Sequence, residues 1–102
     1  MNIQYKATLF RNTKSEHEKI GSVIVSLPHR KPSTIKTVYD ENFKVNLENS
    51  NKRISNKQFI LILESIHEPK TYTFYLLWTD KRGNVYNVMN IGYDEKIREL
   101  TS

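Results

Sequence analysis

Three histidines are the residues whose type best suits metal binding or acid–base chemistry near neutral pH. His17 stands between two glutamates, and His29 and His67 lie in proline-containing turns. Zinc sites take their ligands at characteristic spacings, and adjacent residues in a loop rarely converge on one ion. Because those spacings are missing, we expect solvated turn histidines, no metal site and no cofactor.

The motifs that usually carry catalysis are also missing. The chain has no Gly-x-Ser-x-Gly elbow, no glycine-rich phosphate loop and no dinucleotide fingerprint. Zero cysteines exclude a disulfide scaffold, cysteine-based zinc sites and thiol catalysis. Glu64 is the one carboxylate inside an apolar strand, and we expect it to face solvent near the strand end. The sequence therefore predicts a protein that is not an enzyme.

Basic residues are the clearest asymmetry along the chain. Residues 1–57 hold eleven Lys and Arg against five Asp and Glu, whereas residues 58–102 hold five against six. Most of the positive groups in the first part fall in three stretches that the sequence indicates are loops. They are Arg11, Lys14 and Lys19; Arg30 and Lys31; and Lys52, Arg53 and Lys57. If the loops meet at one face, these cations would bind phosphates by releasing counterions.

The leading interpretation is therefore sequence-tolerant nucleic-acid binding, with DNA and RNA not distinguished. Proteins of this kind stack bases on exposed rings. Tyr75 is the candidate for stacking, because its face of the predicted strand is mostly polar, whereas Tyr72, Phe74 and Trp78 are expected in the core. The competing interpretation of the loop cations is that they keep a small protein soluble.

The alternative function is a protein–protein interaction or inhibitory module, with a homodimer as one form of it. The strand from Val85 to Met89 carries Asn87 and is flanked by Asn84 and Asn90. It ends the predicted meander, so it is a candidate edge strand, and edge strands recruit partners by strand addition. The chain is rich in Lys, Asn, Ile and Tyr, which AT-rich codons encode. This usage favours an accessory protein of a virus, phage or mobile element.

The elements that position these residues follow a period of two, which is typical of half-buried strands. Phe59 to Leu63 is apolar on both faces, as in a central strand. A hairpin turn is predicted at 80–84, where Gly83 takes the left-handed conformation that such a turn needs. The predicted strands are 3–9, 23–27, 59–63, 71–79 and 85–89.

Two segments allow more than one interpretation. From Thr34 to Leu47 we predict two short strands about an Asp40-Glu41-Asn42 turn, since β-branched residues crowd a helix. The alternative is a helix that begins near Ser33, because serine caps helices well. After Gly92, the spacing of Tyr93, Ile97 and Leu100 predicts a short C-terminal helix.

Length and composition set the class. The chain has 102 residues and a net charge of +5, which predicts a single domain over 1–102. No apolar run approaches the 20 or so residues of a membrane-spanning helix, and no leader is recognisable, so we expect a soluble intracellular protein. We predict a mainly β or α+β fold of about five to seven antiparallel strands with a short C-terminal α-helix. A sandwich, a partly open barrel and a single sheet remain open.

Overall fold

Five antiparallel strands form one open sheet in the order β2-β1-β3-β4-β5. The computed structural model describes residues 1–12, 17–49, 58–92 and 98–101. The strands are β1 (Ile3–Asn12), β2 (His17–Leu27), β3 (Gln58–Ser65), β4 (Tyr72–Thr79) and β5 (Val85–Ile91). The prediction of a mainly β, antiparallel fold is confirmed. Five is the low end of the predicted strand number, and the architecture is the single open sheet.

The sheet combines a hairpin and a meander. β1 and β2 pair directly, β3 pairs with the other side of β1, and β4 and β5 follow in sequence. Each residue from Phe59 to Leu63 in β3 is buried. This agrees with the apolar run, which predicts a strand covered on both faces.

The stretch from Thr34 to Leu47 is helical, so the prediction of two strands there is wrong. Helix α1 (Pro32–Tyr39) continues into a π-helix (Asp40–Lys44) and then into α2 (Val45–Asn49). Pro32 occupies the first helical position, where its missing N–H costs nothing. Thr37 and Val45, on which the alternation depended, are both exposed. Burial of one face of the helix against the sheet outweighs the preference of β-branched residues for strands.

That buried stripe has a spacing of four. Ile35, Tyr39, Phe43 and Leu47 are each at most 4% exposed. A repeat of four exceeds the 3.6 residues of an α-helical turn, so such a stripe drifts around a regular helix. The wider turns of the π-helix offset that drift, because their hydrogen bonds join residues five apart. The stripe therefore stays against the sheet along its whole length.

The first face of the sheet, which we define as the face covered by the helical segment, holds the larger core. Leu9, Leu61 and Leu77 are fully buried there. The Tyr39 ring lies 5.6 Å from the Phe59 ring, and its hydroxyl donates a buried hydrogen bond of 3.1 Å to the carbonyl oxygen of Gly83. Tyr39 therefore joins the helical segment both to the sheet and to the turn before β5.

The second face carries a smaller apolar cluster. Phe10, Ile60, Ile62 and Phe74 are buried in it, and Leu100 packs against it. Leu100 belongs to a 3-10 turn (Glu99–Thr101). The predicted C-terminal helix falls mainly on 93–97, which lie outside the described residues.

The β4–β5 turn has the conformation that the sequence predicts. Gly83 adopts φ 83°, and the Asp80 carboxylate accepts hydrogen bonds of 2.9 Å from the backbone N–H groups of Arg82 and Asn84. These bonds, the Asn84 N–H first among them, hold the pKa of Asp80 below its usual value. The charged carboxylate is therefore favoured by the folded turn.

We expect Asp80→Ala to lower the free energy of unfolding at pH 7, and the difference from the wild type to shrink in acid. Because the pKa of Asp80 is lower in the folded state, its contribution is complete above the ordinary carboxyl pKa of about 4 and is lost as the pH falls through the folded value. Urea unfolding at pH 7 and at about pH 2.5 measures this. Asp80→Asn cannot titrate, so its unfolding free energy should differ from that of Asp80→Ala by the same amount at both pH values. If the difference between the wild type and Asp80→Ala is also the same at both pH values, the prediction is wrong.

Candidate interaction surfaces

Four of the eight predicted phosphate-binding residues, Lys14, Lys52, Arg53 and Lys57, lie outside the described residues. The other four are Arg11, Lys19, Arg30 and Lys31. Lys19 is exposed on β2, so its predicted placement in a loop is wrong, and Arg30 and Lys31 are exposed between β2 and α1. Arg11 differs from all three, because it is buried.

Arg11 lies on β1 and not in a loop, so its predicted placement is wrong. The alternation of β1 continues through Arg11, which faces Glu18 of β2 and Phe59 of β3. Its Nε is 3.8 Å from Glu18 Oε2, and its guanidinium carbon is 5.9 Å from the Phe59 ring centroid. Only 5% of the residue is exposed, and neither Nε nor Nη2 has a hydrogen-bond partner among the described residues. This side chain is not presented to a nucleic acid.

Arg30 lies at the other end of β1 from Arg11. Its Nη1 donates a hydrogen bond of 2.6 Å to Thr73 Oγ1, and its guanidinium carbon is 5.9 Å from the Tyr5 ring centroid. Tyr5 and Arg11 are six strand residues apart, which is about 20 Å. The described cations of the first two predicted groups are therefore not brought together.

Tyr75 is only 3% exposed and lies on the first face. Burial raises the pKa of its hydroxyl, while the positive charge of Arg30 and a hydrogen bond with Asn90 act in the opposite direction. Tyr72, Phe74 and Trp78, which were expected in the core, lie on the second face, where Phe74 is buried but Tyr72 and Trp78 are only half-buried. Tyr75 nevertheless faces a core, because the helical segment covers its side of the sheet. Its ring is not open for stacking on a base.

His29 and Glu64, two other residues considered for chemistry, each have an ordinary polar contact within the fold. His29 Nδ1 lies 2.8 Å from Thr34 Oγ1, and Glu64 Oε2 accepts a hydrogen bond of 3.1 Å from the Lys70 N–H. Among the described residues, no three His, Asp or Glu side chains are grouped so that they could hold a metal ion. No helix in that part of the chain is long and apolar enough to cross a membrane.

A shallow groove lies on the second face beside the C-terminal turn. It has a volume of about 610 Å³ and runs between the turn and the strands β4 and β5. Lys70 and Arg98 contribute cations to its wall, and Tyr72 contributes a half-buried ring. Since the cations are on exposed positions, the groove is an open surface feature and not an enclosed ligand site.

The outer strands β2 and β5 offer a more defined surface. Within the described part of the chain, neither strand has a backbone hydrogen bond on its outer side. β5 contains no charged residue and no proline, and its Tyr86 and Met89 are 70% and 49% exposed. The prediction that this strand is an edge is confirmed. Natural sheets usually blunt such edges with lysine, proline or very short strands.

β2 presents a second unprotected edge, which the sequence interpretation missed. Its first residues, His17, Glu18 and Lys19, are polar or charged, and a bulge follows them opposite Leu9 and Phe10. Both features discourage pairing. The regular part, residues 21–27, has no charge, and its central Ile24 is 60% exposed. The available signal was an uncharged run that contains three consecutive β-branched residues, Val23 to Val25, and ends at a proline.

No family model, curated protein or solved structure matches the chain. The function therefore has to be inferred from the surfaces of the molecule itself. Among the described residues, the two free edges are the surfaces with the most specific chemistry.

Proposed function

We propose that this protein is a non-enzymatic interaction module that binds an extended segment of a protein partner by strand addition. The observation that carries the proposal is the pair of outer strands whose outer backbone groups make no backbone hydrogen bond within the described ranges and whose regular parts hold no charged residue. A free edge offers main-chain hydrogen bonds, and alternate side chains along it provide specificity.

The β5 edge has the side chains that such a contact needs. Tyr86 and Met89 are largely exposed at the outer strand. Aromatic residues and methionine are enriched at protein interfaces, and a tyrosine buries a large area there at a modest cost in conformational entropy. The thioether of Met89 also adapts to irregular partners. Asn87 and Asn90 add hydrogen-bonding groups without charge.

Selection from a random peptide library tests the proposal. We expect the wild type to enrich extended peptides with alternating apolar residues, and these peptides to protect β5 amides from hydrogen exchange. Tyr86→Lys and Met89→Lys place a charge at the edge and should weaken binding at least tenfold. Ile66→Lys is the matched control, because Ile66 is also an exposed apolar residue but lies outside the strands. Equal binding by all variants, or no enrichment, would overturn the proposal.

Nucleic-acid binding is the second candidate, supported by the neighbouring exposed residues Arg30 and Lys31 and by the net charge of +5. If these two residues contact duplex phosphates, their loss should reduce the slope of log affinity against log salt by about 2. A gel-shift titration over a salt series compares the wild type with a variant in which both are glutamine. Absence of binding to DNA and RNA at low salt removes this candidate.

A further inference from the structure

We propose that a second copy of this chain occupies the β2 edge, in an antiparallel pair centred on Ile24, so that two five-stranded sheets become one ten-stranded sheet. The inference rests on the proposed strand addition and names the partner at one of the two edges. It follows from the sequence symmetry of β2, the position of its bulge and the absence of charge from residues 21–27.

The exposed edge of β2 is a palindrome. Residues 22–26 read Ser-Val-Ile-Val-Ser, the same in both directions. In an antiparallel pair centred on Ile24, each of these residues faces a residue of its own type in the other copy. A two-fold interface brings one patch against itself, so self-complementarity is what such an interface requires.

The regularly paired part of β2 is centred on the same residue as the palindrome. Pairing with β1 is regular from Gly21 to Leu27, and the bulge interrupts the register just before Gly21. Ile24 is the middle residue of this regular segment. The part of the edge that is straight enough to accept a strand is therefore the part whose sequence is symmetric.

The side chains of the pair are compatible on both faces. A two-fold axis perpendicular to the sheet keeps each face on its own side, so Ile24 meets the partner's Ile24 on the second face. Ser22 then lies opposite the partner's Ser26. On the first face, Val23 lies opposite the partner's Val25. Pairs of β-branched residues and pairs of hydroxyl residues are favourable cross-strand neighbours.

The charges around the edge also favour a second copy. Residues 21–27 carry none, so no like charges oppose one another along the pair. Glu18 points to the first face, where it approaches Arg11. Arg30 leaves β2 on the same face, because it contacts Tyr5 and Thr73. Both side chains therefore reach inward over their own sheet, away from the outer side of β2, and the surface offered to a second copy is the uncharged run itself.

β5 is less suited to a second copy. A pair centred on Val88 would place Asn87 opposite the partner's Met89, and Tyr86 opposite the partner's Asn90. Each of these pairs joins two different residue types, so the edge is not self-complementary. In addition, the pairing of β4 with β5 shifts in register between Trp78 and Thr79, near the start of β5. The second copy therefore fits β2, which leaves β5 free for another protein.

Engineered disulfides test the pairing, because the chain has no cysteine of its own. Directly opposed residues of antiparallel strands have Cα atoms about 4.5 or 5.5 Å apart, and both values suit a disulfide. We expect Ile24→Cys to form a covalent dimer on mild oxidation at least ten times faster than Met89→Cys, which is the matched exposed position on β5. Equal rates, or no dimer from Ile24→Cys, would overturn the inference.

The register has its own test. Ser22→Cys and Ser26→Cys should each cross-link poorly with themselves, since identical residues away from the axis are not opposed. Mixed together, the two variants should form a disulfide-linked heterodimer readily. Self-linked products in place of the mixed product would show a different register and overturn the centre at Ile24.

Sedimentation velocity separates this inference from the proposed function. The wild type should be dimeric in the micromolar range, and Ile24→Lys should weaken the dimer at least tenfold, while Ile66→Lys leaves it intact. Ile24 is largely exposed, so the lysine variant keeps the core. A monomeric wild type that still binds extended peptides at β5 would overturn the dimer alone. A dimer without peptide binding would overturn the role of β5 alone.

Discussion

Tyr39→Ala is expected to lower the free energy of unfolding by about 3–5 kcal/mol, the range for removing a large buried aromatic side chain. The residue is fully buried, and its ring packs 5.6 Å from that of Phe59. Its removal opens a cavity between the helical segment and the sheet. Denaturant unfolding followed by far-UV circular dichroism measures the change.

Two further variants divide this effect into its parts. Tyr39→Phe keeps the ring but leaves the Gly83 carbonyl without its buried donor, which should cost about 1–3 kcal/mol. Tyr86→Ala removes an exposed tyrosine and should change stability by about 0.5 kcal/mol or less. If Tyr39→Ala and Tyr86→Ala have similar effects, Tyr39 does not anchor the helical segment.

The Tyr39 anchor also matters for the β5 edge. The hydrogen bond to Gly83 and a contact between Lys44 and Asn84 both hold the turn that starts β5. We infer that the helical segment keeps this edge strand in place for a partner. The position of the β5 edge therefore depends on the helical segment.

Arg11→Met is expected to raise the free energy of unfolding by about 1–3 kcal/mol. A buried guanidinium loses its hydration, and at 3.8 Å the contact with Glu18 is too long to be a hydrogen bond. Methionine fills a similar volume, adapts to the surrounding side chains and stays in contact with the Phe59 ring. Thermal and denaturant unfolding both report the gain.

Arg11→Lys is the control for the charge. It keeps a positive group in the buried position but loses the planar guanidinium that lies near the Phe59 ring, so it should be less stable than the wild type. A stable lysine variant together with an unstable methionine variant would show that the charge itself stabilises the fold. That outcome would make Arg11 a structural ion-pair residue.

The unprotected edges are physically unusual for a natural sheet. An uncharged, β-branched strand with free backbone groups is a template for aggregation unless something covers it. The palindromic dimer would cover one edge, and a protein partner would cover the other. Both proposals thus give a reason why lysine or proline is missing from residues 21–27 and 85–91.

Local patterns determined much of the strand framework. The alternation from Ile3 to Leu9, the apolar run from Phe59 to Leu63 and the glycine of the β4–β5 turn each depend on neighbouring residues alone. Steric rules for strands and turns act over those distances, so the sequence was sufficient. The prediction of β5 as an edge followed from its place at the end of the meander.

Three features depended on the tertiary structure: the helical conformation of the segment after Pro32, which sheet face is covered by it, and which basic side chains are buried or exposed. Ile35 and Tyr39 fit a helix and a strand equally well, and the helix forms because the sheet offers its stripe a surface to bury. Because the helical segment packs on the first face, Tyr75 lies in the core and not at the surface. Arg11 is buried because β2 and β3 enclose it, and its β3 neighbour Phe59 is distant in sequence. Local charge and alternation do not contain this information, since burial depends on which segments meet.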